Sequence, residues 1–124
     1  MNALQAYHSF LSGFSIPAYD ENSVPDNAMA LSNNHYITYE SNFDYFGYNL
    51  GLVVTLWYRD TSWSAITQKM HEISNTITSG GKIVPYDEGA FWIRRANPWA
   101  QRISDETDDT VRGYILNVEV EFLK

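Results

Sequence analysis

The sequence predicts an α+β fold, with a mostly antiparallel sheet and two helices packed on one of its faces. Two segments, Tyr48–Tyr58 and Tyr114–Phe122, alternate side chains with the two-residue period of a strand. Two others, Leu4–Phe14 and Trp63–Ile77, repeat apolar residues at three- and four-residue spacing, as amphipathic helices do. Together with the shorter strands between them, they give an expected order of α-β-β-α-β-β-β in one domain spanning residues 1–124.

The first predicted helix lies at the start of the chain, and Gly13 is placed to end it. Its face is formed by Leu4, Tyr7, His8, Leu11 and Phe14. The next segment, Pro17–Asn34, is rich in Asp, Asn, Ser and Pro, so it predicts an extended loop. Ile16–Tyr19, which overlap the start of this segment, are its candidate strand.

Two strands are predicted next. The first, His35–Glu40, is β-branched and aromatic. The second, Tyr48–Tyr58, has one fully apolar face, formed by Tyr48, Leu50, Leu52, Val54, Leu56 and Tyr58. Its opposite face carries Asn49, Gly51, Val53, Thr55, Trp57 and Arg59.

The second predicted helix follows. Ser62 is placed to cap it, and Gly80-Gly81 supplies the stop. Its apolar stripe comprises Trp63, Ile66, Met70, Ile73 and Ile77.

Three strands complete the chain. Lys82–Tyr86 and Ala90–Arg95 predict a hairpin whose turn passes through Asp87, Glu88 and Gly89. A loop is expected from Asn97 to Thr110. In the last strand one face carries Tyr114, Leu116, Val118, Val120 and Phe122, and the other carries Asn117, Glu119 and Glu121.

Composition narrows the classes of function. Acidic residues outnumber basic ones 15 to 8, and the formal net charge of −7 argues against sequence-specific nucleic-acid binding and against anionic membranes. The chain has no cysteine. Its longest apolar run, Leu50–Tyr58, is far shorter than the roughly 20 residues of a membrane-spanning helix. Because the first ten residues lack a basic cluster ahead of an apolar core, we expect a soluble, cytoplasmic chain without a signal peptide.

Residue types suited to catalysis are present, but not in the required spacing. The histidines His8, His35 and His71 show no metal-ligand spacing. No serine lies in a G-x-S-x-G turn, and the Gly-Gly pair lacks the Lys-Ser/Thr ending of a phosphate-binding loop. Asp87 and Glu88 are neighbours on a turn, whereas glycoside hydrolysis needs two carboxylates across a cleft. We therefore expect no catalytic residue, cofactor or metal.

Arginine and tryptophan alternate in the segment after the predicted hairpin turn. Both residue types are enriched where proteins bind each other, and arginine pairs with carboxylates on a neighbouring chain. The alternative is that the arginines form the outward end of a hairpin while the tryptophans fill the core; it stays open for Trp92, whereas the expected loop position of Trp99 favours an interface. The candidate interface residues are Asp87, Glu88, Trp92, Arg94, Arg95, Trp99 and Arg102.

A family resemblance rests on a succession of segments along nearly the whole chain. They are VPDNA from Val24, HYITYE from His35, LGLVVTLWYRDTSW from Leu50 and GGKIVPYDEGAFWIRRANPWAQ from Gly80. This succession resembles the tail terminator group of tailed bacteriophages, also called tail completion or minor capsid proteins. The strongest local matches are Thr55–Trp63 and Gly80–Gln101.

The resemblance implies a structural role without enzymatic activity. Proteins of this group form a homohexameric ring on the last ring of the tail tube, stop its growth and offer a surface to the head completion protein. The implied partners are copies of the chain, the major tail tube protein and the head completion protein. The implied location is the virion tail or neck, with the host cytoplasm during assembly.

Acidic side chains would suit a channel through which DNA passes, because carboxylates repel phosphate. One candidate set is the run Asp105, Glu106, Asp108 and Asp109, which lacks the glycine and distal glutamate of an EF-hand loop. The other set is Asp20, Glu21 and Asp26.

Other functions stay open. A head–tail connector of the neck is also a small ring-forming domain. A carbohydrate-binding module, a different class, would use Trp57 together with Trp92 and Trp99 as a stacking platform. An enzyme would need a cleft with convergent titratable groups.

Overall fold

The computed structural model of the chain describes residues 1–43, 50–105 and 107–123. Its helices and strands form the predicted α+β fold, with six strands in one sheet. In chain order the elements are α1 (Ala3–Ser12), β1 (Ala18–Asp20), α2 (Ala28–Leu31), β2 (His35–Tyr39), β3 (Leu50–Arg59), α3 (Ser64–Ile77), β4 (Lys82–Tyr86), β5 (Gly89–Ser104) and β6 (Val111–Leu123).

The sheet has the strand order β1-β2-β3-β6-β5-β4. The β1–β2 pairing is parallel and the other pairings are antiparallel. The two central strands, β3 and β6, pair from Leu50↔Val120 to Arg59↔Val111. The two strands with the clearest sequence alternation therefore form the middle of the sheet.

The core lies on one face of the sheet, between the strands and the helices. Leu56 and Leu116 from the central strands, Tyr7 from α1 and Ile73 from α3 are almost fully buried in the same apolar cluster. This confirms the predicted apolar face of β3 from Leu52 onward; Tyr48 and Asn49 lie outside the described residues. We call the opposite side of the sheet the open face.

Helix α1 begins with a capping box. The Asn2 side chain accepts a hydrogen bond from the Gln5 backbone N–H at 2.8 Å, and the Gln5 side chain accepts one from the Asn2 N–H at 2.9 Å. These bonds satisfy backbone donors that the first helical turn leaves free. Gly13 follows the last helical residue, as predicted.

Helix α3 differs from its prediction at the first turn. Trp63, not Ser62, holds the capping position, and no side chain caps the helix there. The Ser62 hydroxyl instead accepts the Ser64 backbone N–H at 3.0 Å. After the helix, Thr78 and Gly81 have positive φ angles of 67° and 83°, and this turns the chain back toward β4.

The predicted loop between α1 and β2 contains two short elements. Strand β1 pairs in parallel with Ile37–Tyr39 of β2, and Ala28–Leu31 form the single-turn helix α2. The candidate strand Ile16–Tyr19 begins two residues before β1 and ends one residue before it. Elements of three or four residues are too short to show a sequence period, so only their tertiary pairing reveals them.

Strand β5 is far longer than predicted. The expected loop from Asn97 to Thr110 is wrong in its first half, because β5 continues to Ser104. The pairing with β6 shifts between Arg95 and Ala100, around a cis Asn97–Pro98 peptide bond. Proline cannot donate to a sheet ladder, and an irregularity accommodates it without ending the strand.

Because β3 buries only one of its faces, substitutions at two neighbouring positions should lower the free energy of unfolding by different amounts. Leu52→Ala should lower the free energy of unfolding by about 2 to 4 kcal/mol, because it leaves a cavity in the core. Leu52 is 4% exposed, whereas Val53 lies on the open face and is half-buried. Val53→Ala should therefore cost only about 1 kcal/mol. Chemical denaturation measures both, and a larger loss for Val53→Ala would mean that the faces are exchanged.

Candidate protein-interaction surfaces

The two ends of β5 lie at opposite ends of the sheet. The β4–β5 turn, Asp87–Glu88, marks one end, which we call the Asp87 end. Arg102 marks the other, the Arg102 end, where β6 begins. In the pairing with β6, Ala90 lies opposite Leu123 and Arg102 opposite Tyr114, nine residues apart along β6. At about 3.3 Å per residue the two ends are therefore about 30 Å apart.

At the Asp87 end the turn contacts the start of the chain. The Asp87 backbone N–H donates to the Met1 carbonyl at 2.9 Å, and the Asp87 carboxylate pairs with the N-terminal ammonium. Glu88 is exposed and forms no hydrogen bond or ion pair within the described part of the chain. The turn therefore presents one tethered and one free carboxylate.

Trp92 and Arg94 form a cluster on the open face. The Arg94 guanidinium carbon lies 4.2 Å from the centre of the Trp92 ring, and its nitrogens lie 3.1 Å from Glu121 and 3.5 Å from Glu119. The Trp92 indole N–H donates to the Gly80 carbonyl at 3.0 Å. Trp92 therefore lies outside the core, and two carboxylates of the same chain balance the charge of Arg94.

Arg95 faces the other side of the sheet, because successive strand residues alternate. Its guanidinium donates to the Ser74 hydroxyl of α3 at 2.6 Å, and Ser74 is buried. Sequence reasoning placed Arg94 and Arg95 on one surface, and the structure separates them. Arg95 supports the contact between α3 and β5.

This separation predicts different effects of two alanine substitutions on stability. Arg95→Ala leaves the buried Ser74 hydroxyl without its donor and should lower the free energy of unfolding by about 1 to 2 kcal/mol. Arg94→Ala removes ion pairs that are partly exposed and should cost less than about 1 kcal/mol. Urea denaturation of the two variants measures the difference. The reverse ranking would contradict the assigned roles.

At the Arg102 end, two arginines lie over one tryptophan. The guanidinium carbons of Arg102 and Arg112 are 4.6 Å and 5.4 Å from the centre of the Trp63 ring. Tyr114 packs edge-on against Trp63 at 5.6 Å and accepts a hydrogen bond from Arg102 Nε at 2.9 Å. We call Trp63, Arg102, Arg112 and Tyr114 the arginine–tryptophan site.

The arginine–tryptophan site carries the two positive charges of Arg102 and Arg112. Neither Arg102 nor Arg112 pairs with a carboxylate among residues 1–43, 50–105 and 107–123. Arg112 Nη2 donates to the Thr61 carbonyl at 3.3 Å, and its buried Nε has no partner in the same ranges. Burial opposes ionisation of the Tyr114 hydroxyl, but hydrogen bonds with Thr67 and Arg102 and the Arg102 charge outweigh it and lower its pKa.

Sequence reasoning identified only Arg102 of this site. The other members come from the start of α3 and the start of β6, so no local motif joins them. The available signal was a tryptophan at the first position of a predicted helix and an arginine two residues before a predicted strand, which gives two positions at element ends but not their proximity.

Trp99 does not lie in a loop. It belongs to β5, just beyond the irregularity, and packs against the buried core. Its indole Nε1 is buried and has no hydrogen-bond partner among the described residues. The loop position that favoured Trp99 as an interface residue is therefore wrong.

The acidic run forms the turn between β5 and β6. Asp105 accepts the Thr107 backbone N–H at 2.8 Å, and Asp108 accepts the Thr110 hydroxyl at 2.6 Å. These bonds lower the pKa of both carboxyl groups, and for Asp108 the nearby Arg59 contributes as well. Asp109 is exposed, and Glu106 lies outside the described residues.

The second acidic set is divided between two parts of the sheet. Asp20 ends β1 beside Tyr39, level with Leu116 near the middle of the sheet, and exposed Glu21 follows it. Hydrogen bonds from the Ser41 side chain and from Asn22 lower the Asp20 pKa. Asp26 instead lies at the Arg102 end. There a cleft of about 250 Å³ is lined by Asp26, Asp105, Arg59, Tyr36 and Trp57, together with Pro25, Ala28, Met29 and Val111.

The open-face tryptophans do not form one row. Trp57 pairs with Gly113 of β6 and Trp92 with Glu121, eight residues further along that strand, or about 26 Å away. The Trp57 indole N–H donates to the Thr38 hydroxyl at 3.3 Å. A single stacking platform built from Trp57, Trp92 and Trp99 is therefore not assembled.

One series of hydrogen-bonded side chains has the connectivity of a catalytic relay. His8 Nδ1 lies 2.7 Å from the Tyr39 hydroxyl, and His8 Nε2 lies 3.2 Å from the Ser12 hydroxyl. Ser12 is, however, the last residue of α1, where the helix dipole is negative and opposes a developing oxyanion. The arrangement is better suited to joining α1 to β2 than to nucleophilic catalysis.

The histidines and carboxylates stay apart in the described ranges, where no three of them are close enough together to hold a metal ion. No helix in those ranges has the length and apolar character needed to cross a membrane.

Comparisons with protein families, with curated proteins and with solved structures each found no match to this chain. The surfaces described above are therefore the basis for assigning a function.

Proposed function

We propose that this protein is a structural protein of a tailed-phage virion. In this proposal it forms a ring on the end of the tail tube, stops tube polymerisation and provides the joining surface for the head. The observation that carries the proposal is the one-sided packing of the long helices: α1 and α3 cover the same face of the sheet, while the open face carries neither of them and is contacted by the short segment 25–29 beside Tyr36 and Trp57. The resemblance of the sequence to tail terminators supports the same assignment.

The open face has the character of a protein contact. Val53, Trp57, Ile103 and Ile115 are each only half-buried there, and the Trp92–Arg94 cluster lies on the same side. Half-exposed apolar and aromatic side chains beside charged ones are typical of surfaces at which proteins associate. A neighbouring subunit or the tube would complete their burial.

A terminator differs from a tube subunit in its faces. A tube grows because the upper face of each ring matches the lower face of the next one. A ring that matches on one side only ends the growth. The two ends of this sheet are chemically different, with the Asp87–Glu88 turn at one and the arginine–tryptophan site at the other, and this asymmetry suits such a ring.

The net negative charge of the protein is compatible with passage of DNA through the ring. A net charge of −7 keeps the duplex from adhering to the protein. Asp105, Asp108 and Asp109, on the β5–β6 turn, are the channel-lining candidates within the described residues. A ring in which this turn lies on the outer rim would exclude that placement.

Sizing and imaging test the proposal. The purified protein is analysed by sedimentation over a wide concentration range, and any oligomer is then imaged by electron microscopy. We expect a closed ring, either alone or when tail tubes are added. A protein that stays monomeric and does not bind to tubes would contradict the proposal; a ring that binds the head vertex and not the tube would indicate a neck connector.

The cleft at the Arg102 end favours carbohydrate binding as a second candidate function. Two aromatic rings, Trp57 and Tyr36, line it together with the carboxylates Asp26 and Asp105, and sugars bind to aromatic faces beside polar groups. Titration with a glycan panel should then shift the tryptophan fluorescence, and Trp57→Ala should abolish the shift. An unchanged spectrum with every glycan would exclude this candidate.

A further inference from the structure

We infer that the arginine–tryptophan site binds the Asp87–Glu88 turn of a second copy of this chain, so that neighbouring copies join head to tail. The inference rests on the proposed ring and identifies the contact between its subunits. It assigns the two ends of one sheet to the two halves of a single interface.

The arginine–tryptophan site is suited to carboxylates. Arginine presents a planar fork of N–H donors that matches a carboxylate, often through two parallel hydrogen bonds. Arg102 and Arg112 both lie over Trp63, and this stacking restricts their orientations. Less conformational entropy is then lost when a ligand binds. Arg102 is largely exposed, so its remaining donors are accessible.

Among the described residues, the carboxylates nearest along the chain do not neutralise these arginines. Asp108 pairs with Arg59 at 3.4 Å, Asp105 bonds Thr107 of its own turn, and Asp60 accepts the Ser62 backbone N–H at 3.2 Å. Arg59 and Asp105 line the cleft with Trp57, on the open face. The arginine–tryptophan site lies on the helix face. The described residues place no acidic side chain in the first turn of α3, which begins beside the site.

The Asp87–Glu88 turn supplies the complementary charge. Glu88 is exposed and unpaired among the described residues, and Asp87 is held by the chain terminus, so the turn has a defined shape. Because about 30 Å of the sheet separates the turn from Arg102, a chain cannot bring its own two surfaces together. A contact between copies is then heterologous, and such contacts close into a ring when the rotation between copies permits it.

Charge favours a second copy over nucleic acid as the occupant. Phosphates would also pair with arginine, but a chain of net charge −7 repels a polyanion at long range. A protein turn with two carboxylates brings little additional negative charge. It also has a fixed geometry that can match one site on the neighbouring copy.

Charge exchange tests the contact. The variants are Arg102→Glu, Glu88→Arg, the chain carrying both exchanges, and an equimolar mixture of the two single variants. Lys82→Glu, at an exposed lysine of β4 outside both surfaces, is the matched control. Sedimentation velocity over a concentration range measures self-association, and thermal melting followed by circular dichroism verifies that each variant is folded.

We expect each single exchange to weaken self-association by at least about tenfold, because it juxtaposes like charges. The double exchange and the mixture should restore association to within about threefold of the original, since an opposite-charge pair is formed again. Lys82→Glu should associate like the unchanged protein.

Three outcomes would overturn the inference. If the single variants associate like the unchanged protein, the contact lies elsewhere, although rings seen in the micrographs would still support the proposed function. The same conclusion follows if the double exchange fails to restore association. If the unchanged protein forms its ring only on tail tubes, ring formation on tubes replaces sedimentation as the readout for the same variants. If Arg102→Glu abolishes tube binding while self-association is intact, the site belongs to a different virion protein.

Discussion

Gly81→Ala should destabilise the fold by about 2 to 4 kcal/mol, because glycine is the residue that accepts its backbone geometry without strain. Gly81 has a φ of 83°. An added Cβ would overlap the Trp92 indole nitrogen and would lie 2.8 Å from the Ile93 carbonyl oxygen and 2.9 Å from Arg94 Cγ. Backbone displacement would then separate β4 from β5. Chemical denaturation and thermal melting measure the loss.

Gly80 is the matched control for this substitution. A Cβ at Gly80 would meet no atom within 4 Å. Gly80→Ala should therefore change the stability by less than about 0.5 kcal/mol. Equal effects at the two positions would contradict the described path of the chain between α3 and β4.

Phe91→Ala should lower the free energy of unfolding by about 3 to 5 kcal/mol, because the residual cavity would lie where α1 meets the sheet. Phe91 is completely buried, and its ring centre lies 6.1 Å from that of Tyr7 and 6.5 Å from that of Phe122. Ile83→Ala on the neighbouring strand is the control. Ile83 is 60% exposed, so its substitution by alanine should lower the free energy of unfolding by less than about 1 kcal/mol.

The Phe91→Ala and Ile83→Ala measurements test the described packing of α1 separately from the proposed function. A small loss for Phe91→Ala would mean that α1 does not pack on β4 and β5 as described. The proposal of a ring would not be affected, because the surfaces on which it rests are on the open face and at the ends of the sheet.

Elements with a sustained period could be predicted from the sequence. Strands β3 and β6 and helices α1 and α3 bury one face each, so selection for burial leaves a regular spacing of apolar residues. The β4–β5 hairpin was also predictable, because Asp87, Glu88 and Gly89 are typical turn residues. These elements are enough to define the α+β class.

The elements that were missed depend on contacts distant in the sequence. Strand β1 exists because β2 pairs with it, and the last part of β5 exists because β6 continues beside it. Pro98 was a reasonable signal for a loop, yet the sheet absorbs it in an irregularity. Local propensity yields to tertiary pairing at these positions.

The candidate surfaces were predicted less well than the fold. The alternation that identifies a strand also places Arg94 and Arg95 on opposite faces, but the sequence interpretation grouped the two arginines and did not draw this consequence. The proximity of Trp63 to Arg102 and Arg112 arises from three separate elements. No spacing rule within one segment could have indicated it.

Tail-tube polymerisation in the presence of the purified protein tests the central claim most directly. Tubes are assembled with and without the protein, and electron micrographs give their length and the appearance of both ends. We predict one additional ring at a single end and tubes that no longer elongate when fresh tube subunits are added. Tubes of unchanged length that continue to grow and carry no additional density at either end would contradict the account.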